Sequence, residues 1–292
     1  MRVLLFGSNG MLGKAIKEKL GSESGFELLC VARSQADFCI DFVDDNAVKE
    51  SFVKAEPEVV INAGAMVNMQ KCEDNPLLAY LINGRFCSIL AEFCRSCGSY
   101  LVQVSTDHYY AGDGAVRHRE DEQVLLLNEY ARTKFVGECL ARAYSHSVVL
   151  RTNIVGFRGT KERPTFLEWA VDAIGAGAQI TAFTDYFTSS LHVYQFASIL
   201  TDILKKRPEG IYNLASSEVL SKEEFLKRLS LKLFRKKLLV SVGSVQDMSG
   251  VKRADSLGLD TSRLEKVLGY SLPTADEVMD SIATEYERRQ NK

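Results

Sequence analysis

The sequence predicts an α/β protein that consists of a doubly wound parallel sheet followed by a smaller C-terminal α/β domain. Short apolar runs alternate with amphipathic helical runs from residue 1 to residue 155, and this alternation is typical of parallel sheets. Beyond residue 155 the pattern changes to a charged, glycine-containing loop and shorter elements. With 292 residues, 46% of them hydrophobic, the chain can bury a core in both parts.

Composition and charge argue against several classes of protein. The net charge of −2, the pI near 6.2 and the lack of a basic block disfavour a nucleic-acid partner. The opening apolar stretch is too short for a secretory signal and no later run approaches a membrane span, so we expect a cytoplasmic protein without a membrane partner. The seven cysteines lack the spacing of a disulfide scaffold, and Cys94 and Cys97 form a lone CxxC without a second ligand pair. We expect reduced thiols and no metal site, with a redox or zinc role of this pair as the alternative.

A glycine-rich turn joins the first predicted strand, Arg2 to Phe6, to a helical run that extends to Leu20. A turn at this junction is the arrangement with which Rossmann folds bind dinucleotides. Its glycines allow a tight turn, approach of the backbone to a pyrophosphate and close packing of helix on strand, while the helix N-terminus faces the anion. The spacing is GxxGxxG, and the expected cofactor contacts are Gly7, Asn9, Gly10, Met11, Leu12 and Gly13.

The end of the second predicted strand, Phe26 to Ala32, bears on the choice between NADPH and NADH. A site selective for NADH usually places an acidic residue there, on the ribose 2′-hydroxyl. This chain has Arg33 and Ser34 instead, and a guanidinium beside a hydroxyl suits a 2′-phosphate. The sequence therefore favours NADPH, with a solvated arginine at a strand end as the alternative. Asp41 and Phe42 follow a further short apolar run and are expected to flank the adenine.

Small and polar residues follow the next two predicted strands at their carboxyl ends, the edge at which open α/β sheets bind ligands. The strand Val59–Ile61 leads to small residues that leave room for a cofactor. The strand Tyr100–Val104 delivers Thr106 and Asp107 to the same edge, where a hydroxyl can donate to a substrate carbonyl oxygen as negative charge develops on it. The expected cofactor contacts at this edge are Ala63, Gly64 and Ala65.

Tyr130 and Lys134 are four residues apart in a run that predicts a helix from Tyr130 to Tyr144. One helical turn brings both side chains to the same face, with the ammonium near the phenol. A free tyrosine has a pKa of about 10, and a fixed cation beside it lowers that pKa toward a useful range. The pair is the candidate centre of acid–base chemistry, with simple surface packing as the alternative.

Together these motifs resemble the extended short-chain dehydrogenase/reductases. The glycine turn, the Asn-Ala-Gly-Ala strand end, the Ser-Thr-Asp strand end and the Tyr-x3-Lys pair carry this resemblance. Within that superfamily the sequence is most similar to the dTDP-4-dehydrorhamnose reductase group, and this narrower resemblance covers nearly the whole chain. It rests on Val60–Ala65, Lys71–Pro76, Ala79–Asn83, Val149–Thr152 and Val251–Leu264.

The resemblance implies a role for each matching residue. Thr106 would hydrogen-bond the reacting carbonyl, and Tyr130 would pass its proton to that oxygen as hydride arrives from C4 of the nicotinamide. Lys134 would bind the nicotinamide ribose and, together with the cofactor's charge, lower the pKa of Tyr130. Asp107 would lie near the sugar, and Asn153 is a further expected substrate contact.

The sequence also departs from the group. Leu126 replaces the usual proline ahead of the tyrosine, and Ala131 replaces the usual glycine after it. Asn153 and Ile154 stand where rhamnose-forming reductases tend to carry Ser-Trp. Because that tryptophan is associated with the sugar pocket, the identity of the sugar stays open while the hydride chemistry is untouched.

The expected domains follow from the order of these motifs. Residues 1–155 would form the Rossmann domain, with 188–210 returning to it, and residues 156–187 and 211–292 would form the smaller, substrate-binding domain. Two histidines are weaker candidates. His108, beside the strand end, is a candidate for substrate contact, and His192 could touch a nucleotide, although a histidine satisfied by the backbone is favoured there.

The sequence therefore predicts an NADPH-preferring reductase of a 4-keto-6-deoxy sugar nucleotide, in dTDP-rhamnose or related carbohydrate biosynthesis. One alternative is a sugar-nucleotide epimerase or dehydratase, which would retain and regenerate its cofactor. Another is a non-catalytic NADP-binding regulatory subunit, because function does not follow from fold. A homodimer that pairs the helices Leu77–Cys97 and Tyr130–Tyr144, as in many relatives, is a further hypothesis.

Overall fold

The computed structural model describes residues 1–160 and 162–291. Along the chain its strands and α-helices are β1 (Arg2–Phe6), α1 (Met11–Gly21), β2 (Glu27–Ala32), β3 (Phe38–Cys39), α2 (Asp45–Ala55), β4 (Val59–Asn62), α3 (Met69–Asp74), α4 (Pro76–Tyr80), α5 (Phe86–Cys97), β5 (Tyr100–Val104), β6 (Arg117–His118), α6 (Glu129–Arg142), β7 (Ser147–Arg151), β8 (Ile154–Val155), α7 (Phe166–Gly175), β9 (Ile180–Phe183), β10 (Phe187–Thr188), β11 (Leu191–His192), α8 (Val193–Lys206), β12 (Gly210–Asn213), β13 (Leu220–Ser221), α9 (Lys222–Phe234), β14 (Val240–Gly243), β15 (Ser256–Leu259), α10 (Ser262–Leu268) and α11 (Ala275–Gln290). A π-helical turn, Leu81–Arg85, joins α4 to α5, and a 3₁₀ turn lies at Val245–Asp247.

Seven strands form the main sheet, in the order β12-β7-β5-β4-β1-β2-β3. Every neighbouring pair is parallel. From the central strand β1 the chain builds outward to β2 and β3, and then returns to the other side of β1 to build β4, β5, β7 and β12. This reversal creates a switch point between β1 and β4, and in open α/β sheets ligands bind outside the carboxyl ends of the strands at such a point.

Helices cover both faces of the sheet, which explains why its strands are continuous apolar runs. In β1, Val3 and Leu5 pack on one face in a core shared with α1 and α8, whereas Leu4 and Phe6 pack on the other face in a core shared with α2 and α5. Successive side chains of a strand point to opposite faces, so both sets are buried. The predicted doubly wound α/β fold is confirmed.

The segment Pro76–Cys97 is long and apolar enough to cross a membrane, by length and composition alone. It has 22 residues and a mean hydropathy of 1.4, and we did not expect such a run from the sequence. Buried residues make up 44% of its most apolar window, and Phe86 and Leu90 belong to the core against the sheet. The packing is that of the central helix of an α/β layer.

The remaining strands form smaller sheets after and around the main one. They are a four-stranded sheet in the order β13-β10-β15-β6 and the two-stranded pairs β11-β8 and β14-β9. One boundary differs from the expectation: the strand predicted within residues 211–215 is β12 and belongs to the main sheet, not to the smaller domain. It lies there because α8 crosses the sheet and returns the chain parallel to β7. The rest of the two-domain division stays a prediction.

The C-terminal helix α11 is fastened to the segment that precedes α8. His192 is fully buried, with Nδ1 2.7 Å from Ser281 Oγ and Nε2 2.9 Å from Glu285 Oε2. Glu285 in turn accepts a 2.8 Å hydrogen bond from Nε of Arg289. His192 is therefore held by side chains of α11, neither by backbone nor in an open position where a nucleotide could reach it.

Candidate active site

The carboxyl ends of β1 and β4 pack backbone to backbone at the switch point of the sheet. A Cβ atom added at Gly7 would lie 2.6 Å from the amide nitrogen of Gly64, closer than Cβ atoms approach other atoms in proteins. Gly7 also has a φ of +81°, in the left-handed region that favours glycine. Position 7 therefore requires glycine on two grounds, and the turn and strand end predicted to hold a cofactor are brought together.

The N-terminus of α1 is open to an anion. Its N-cap residue, Gly10, has no side chain with which to cap the first backbone N–H groups, and the first turn contains no acidic residue. The N–H groups of Met11, Leu12 and Gly13 have no partners within the helix, and the helix dipole favours negative charge beside them. A Cβ at Gly13 would lie 2.1 Å from the carbonyl oxygen of Gly7, so the turn is as tight as a pyrophosphate site requires.

The loop after β2 lies beside this turn. Nδ2 of Asn9 donates a 2.6 Å hydrogen bond to the carbonyl oxygen of Ser34, which holds the turn and the loop together. Arg33 is exposed, and its guanidinium takes part in none of the ion pairs or side-chain hydrogen bonds formed within residues 1–160 and 162–291. The guanidinium is thus available for an anionic ligand at the mouth of the predicted cofactor site.

Asp41 and Phe42 differ in their surroundings. The ring of Phe42 stacks on that of Phe86, with ring centroids 4.4 Å apart, and a Cβ at Gly64 would lie 2.2 Å from the Phe42 ring. Phe42 therefore packs beneath the strand end of β4. Asp41 is exposed, and its Oδ1 accepts only a local 3.3 Å hydrogen bond from the backbone of Val43. The contact of both residues with adenine stays a prediction.

Helix α6 carries Tyr130 and Lys134 into the site. The helix is capped by Asn128, whose Oδ1 accepts a 2.8 Å hydrogen bond from the backbone N–H of Ala131. Tyr130 is 9% exposed and Lys134 is 4% exposed, so the pair is not surface packing. Nζ of Lys134 donates a 2.8 Å hydrogen bond to the carbonyl oxygen of Val104, which ties α6 to the carboxyl end of β5.

The protonation of Tyr130 differs from the expectation that Lys134 lowers its pKa. Burial raises the pKa of Tyr130 to about 12, and a hydrogen bond with Thr106 is the effect that opposes the rise. The ammonium of Lys134 is directed to the Val104 carbonyl and is not among the groups that shift the pKa of the phenol. At neutral pH Tyr130 therefore holds its proton and can act as an acid.

The two predicted substrate contacts, Asp107 and Asn153, meet at the same edge. Nδ2 of Asn153 donates a 2.7 Å hydrogen bond to Oδ2 of Asp107. Asp107 is 1% exposed, and burial raises the pKa of its carboxyl to about 7 although the bond from Asn153 opposes the rise. His108 meets the Tyr130 ring edge-on, with centroids 5.7 Å apart, and burial lowers the pKa of His108 to about 4. His108 is therefore neutral at neutral pH and lies beside the ring of Tyr130.

A buried ion pair connects α6 to the main sheet. Arg151, at the end of β7, donates from Nη2 to Oε2 of Glu138 at 2.9 Å and from Nε to Oε1 at 3.1 Å. Ser105 Oγ donates to Oε1 of Glu138 at 2.5 Å. Because Glu138 lies one turn after Lys134, the pair fixes α6 against the two strands that deliver Thr106 and Asn153.

The structure adds one charged residue that we did not single out from the sequence. Lys222 is the first residue of α9, and its Nζ lies 3.4 Å from Oγ1 of Thr188 and within the electrostatic range of the Asp107 carboxylate. The available signal was its position: a lysine in the first turn of a helix is opposed by the helix dipole, whereas acidic residues are favoured there. That anomaly indicates that the side chain has a use outside its own helix.

Comparison with models of known protein families shows to which family the chain belongs. A family model described as RmlD substrate binding domain matches residues 1–288. The chain belongs to this family. Membership confirms the predicted resemblance to extended short-chain dehydrogenase/reductases of the dTDP-4-dehydrorhamnose reductase-like group. It likewise confirms the predicted class, an NAD(P)-dependent oxidoreductase that acts on sugar nucleotides.

Individual relatives of this RmlD family are distant in sequence. A probable low-salt glycan biosynthesis reductase, Agl14 of Haloferax volcanii, is 25% identical over 286 residues, which are 95% of each chain. The dTDP-4-dehydrorhamnose reductase of Salmonella typhimurium is 32% identical over 138 residues, 47% of this chain and 46% of that protein. The dTDP-4-dehydrorhamnose reductase of Bacillus anthracis, solved in complex with NADP, has a TM-score of 0.87 at 21% identity and covers 97% of this chain and 99% of its own. At that identity the last comparison shows the fold alone.

Proposed function

We propose that this RmlD-family protein reduces a 4-keto-6-deoxy sugar nucleotide with NADPH, in the cytoplasm, and that dTDP-4-dehydrorhamnose is the first substrate to test. The observation that carries the proposal is the convergence of Thr106, Tyr130 and Lys134 at the carboxyl edge of the main sheet, the edge at which the open N-terminus of α1 follows β1. The hydroxyl of Thr106, the phenol of Tyr130 and the ammonium of Lys134 would thereby lie near the bound dinucleotide. The Salmonella relative named dTDP-4-dehydrorhamnose reductase supports the choice of substrate.

The residues that would hold the dinucleotide fit it in size and charge. The uncapped N–H groups of residues 11–13 suit a pyrophosphate, and the small side chains of Ala63 and Ala65 leave space above the end of β4. Lys134, buried on the inner face of α6, would bind the nicotinamide ribose. When bound, the cofactor supplies the hydride that reduces the carbonyl carbon.

Tyr130 and Thr106 would act on the carbonyl oxygen. Because burial holds the pKa of Tyr130 at about 12, the phenol is protonated at neutral pH and donates its proton to that oxygen. The hydroxyl of Thr106 donates a hydrogen bond to the same oxygen, which stabilises the charge that develops on it.

The preference for NADPH rests on Arg33. An exposed guanidinium without an ion pair among the described residues is free to bind the two oxygens of a 2′-phosphate. The hydrogen bond from Asn9 to Ser34 supports this role, since it holds the loop that carries Arg33 against the glycine turn.

The test is turnover of dTDP-4-dehydrorhamnose, followed by loss of NADPH absorbance. We expect Tyr130→Phe to lower kcat at least about 10²-fold, because general acid catalysis contributes about 10²–10⁴-fold. Tyr270→Phe, at a tyrosine that is 43% exposed, is the matched control and should turn over normally. A Tyr130→Phe enzyme with near-normal turnover would contradict the assignment of the proton donor.

The same assay separates the proposal from its two alternatives. An epimerase or dehydratase would convert the sugar nucleotide without net oxidation of NADPH. A regulatory subunit would bind NADPH and turn nothing over. Either result would replace the reductase proposal while leaving the family and the fold unchanged.

A further inference from the structure

Lys222 occupies a position whose backbone is fixed on both sides. Its N–H donates a 2.9 Å hydrogen bond to the carbonyl oxygen of Tyr186, and the preceding residue, Ser221, caps α9 through a 3.1 Å hydrogen bond from the N–H of Glu224. The first turn of α9 also contains Glu223 and Glu224, the residue type that the helix dipole favours there. Lys222 is the cation in this turn, so its side chain gains nothing from the helix itself.

The ammonium of Lys222 lies among aromatic rings and is short of hydrogen-bond acceptors. Its Nζ is 4.5 Å from the ring centroid of Phe166, 5.5 Å from that of Tyr186 and 5.8 Å from that of Phe225. Within residues 1–160 and 162–291 its one hydrogen bond is to Oγ1 of Thr188 at 3.4 Å, which is long for an N–H donor. An ammonium has three donors, so most of its capacity is free for a ligand.

A chain of polar side chains leads from Lys222 to the reaction edge. Thr188 Oγ1 is 3.1 Å from Ser190 Oγ, which is 2.6 Å from Asn153 Oδ1, and Asn153 donates to Asp107. Lys222 and Asp107 themselves are not among the ion pairs that the described residues form within 4.0 Å. The two charged groups are therefore linked through the side chains of Thr188, Ser190 and Asn153 and form no direct ion pair among the described residues.

We propose that Lys222 is a substrate-binding residue, which donates a hydrogen bond to an oxygen of the hexose on the side opposite Asp107. The inference rests on the proposed function. Asp107 follows Thr106 directly, so the polar side chains that lead from Lys222 to Asp107 end beside the sugar that carries the reacting carbonyl, and not beside the nucleotide. The acceptor is a hexose hydroxyl or keto oxygen, and the aromatic rings of Phe166 and Tyr186 exclude water from the contact.

The experiment separates the hexose from the nucleotide by titration calorimetry. The Kd of dTDP and that of dTDP-rhamnose are measured, in the presence of NADP, for the wild type, Lys222→Met and Lys222→Gln. Lys227→Met is the control, because Lys227 is on the same helix but pairs with Glu223 at 2.7 Å and is 43% exposed. Lys222→Gln retains a donor of similar length and serves if the methionine variant does not fold.

We expect Lys222→Met to weaken dTDP-rhamnose binding about tenfold or more, since a hydrogen bond from a charged group is worth about that factor, while dTDP binding stays within about twofold. Lys227→Met should change neither. Equal weakening of dTDP and dTDP-rhamnose, or no weakening, overturns the assignment of Lys222 and leaves the reductase proposal standing. A wild type that neither oxidises NADPH with dTDP-4-dehydrorhamnose nor binds dTDP or dTDP-rhamnose overturns the reductase proposal as well, so the two failures are distinguishable.

Discussion

One exposed side chain, Arg33, carries the proposed choice between NADPH and NADH. Its guanidinium has no ion-pair partner in the described part of the chain, and the loop around it is held to the glycine turn by Asn9. We expect Arg33→Ala to raise the KM for NADPH about tenfold or more, because charge-assisted hydrogen bonds to the 2′-phosphate are lost. The KM for NADH should stay unchanged.

The control for this prediction is Arg142→Ala, which removes an exposed arginine from the end of α6. Steady-state kinetics with both cofactors measure the effect. If Arg33→Ala raised the KM for NADPH and NADH equally, Arg33 would contact a part common to both, such as the pyrophosphate, and the preference for NADPH would lose its basis.

At the scale of single residues, sequence spacing located side chains better than it assigned their electrostatics. The i,i+4 spacing correctly placed Tyr130 and Lys134 on one buried face of α6. It could not indicate that the ammonium turns to the carbonyl of Val104 or that burial raises the pKa of the phenol. Lys222 was missed for a related reason: its neighbours are set by the return of the chain to residue 107, 115 positions earlier in sequence.

Helix α6 depends on the buried pair of Glu138 and Arg151, which are 1% and 2% exposed. Removal of one partner leaves an uncompensated buried charge, which costs about 3–5 kcal/mol. We therefore expect Glu138→Ala to lower the free energy of unfolding by about that amount, measured by urea denaturation. Turnover should fall as well, because α6 loses its fixed position against β5 and β7.

Two comparisons make this prediction specific to burial and pairing. Glu50→Ala breaks an exposed i,i+4 pair with Lys54 and should cost at most about 1 kcal/mol. The double replacement of Glu138 and Arg151 by leucine should recover most of the loss, because no charge is left buried. A single Glu138→Ala variant as stable as the wild type would show that Arg151 finds another partner.

At the scale of secondary-structure elements, long buried strands could be predicted from the sequence and very short strands could not. The strands β1, β4 and β5 are buried on both faces, so they read as largely apolar runs and were predicted to within one residue. Outside the main sheet, the two-residue strands β6, β8, β10, β11 and β13 are too short to show any period. They are defined by contacts with distant strands, and sequence patterns alone do not contain that information.

At the scale of the whole molecule, His192 connects the C-terminal helix α11 to the middle of the chain. This ring joins the start of α8 to α11, across 89 residues of sequence to Ser281 and 93 to Glu285. We expect His192→Ala to lower the free energy of unfolding by about 2–4 kcal/mol, since it leaves a cavity and an unpaired acceptor. Denaturation by urea measures the effect. The KM for NADPH and the KM for dTDP-4-dehydrorhamnose should both be unchanged.

His146→Ala is the control for this prediction. His146 also lies beside a carboxylate, with Nδ1 3.0 Å from Oε1 of Glu209, but its side chain is 33% exposed. Its loss should cost about 1 kcal/mol or less. If the two variants lost similar amounts of unfolding free energy, neither the burial of His192 nor its contact with a distant helix would add to its contribution.

The order of strands in the main sheet also has a consequence for biosynthesis. Six of its seven strands have been translated once the ribosome has passed residue 151, and the remaining strand, β12, takes an outer position beside β7. The glycine turn, the strand ends of β4 and β5 and the whole of α6 therefore exist in the nascent chain before any residue of α9 does. The residues that would hold the dinucleotide are all translated before Lys222, the proposed hexose contact that α9 contributes to the sugar site.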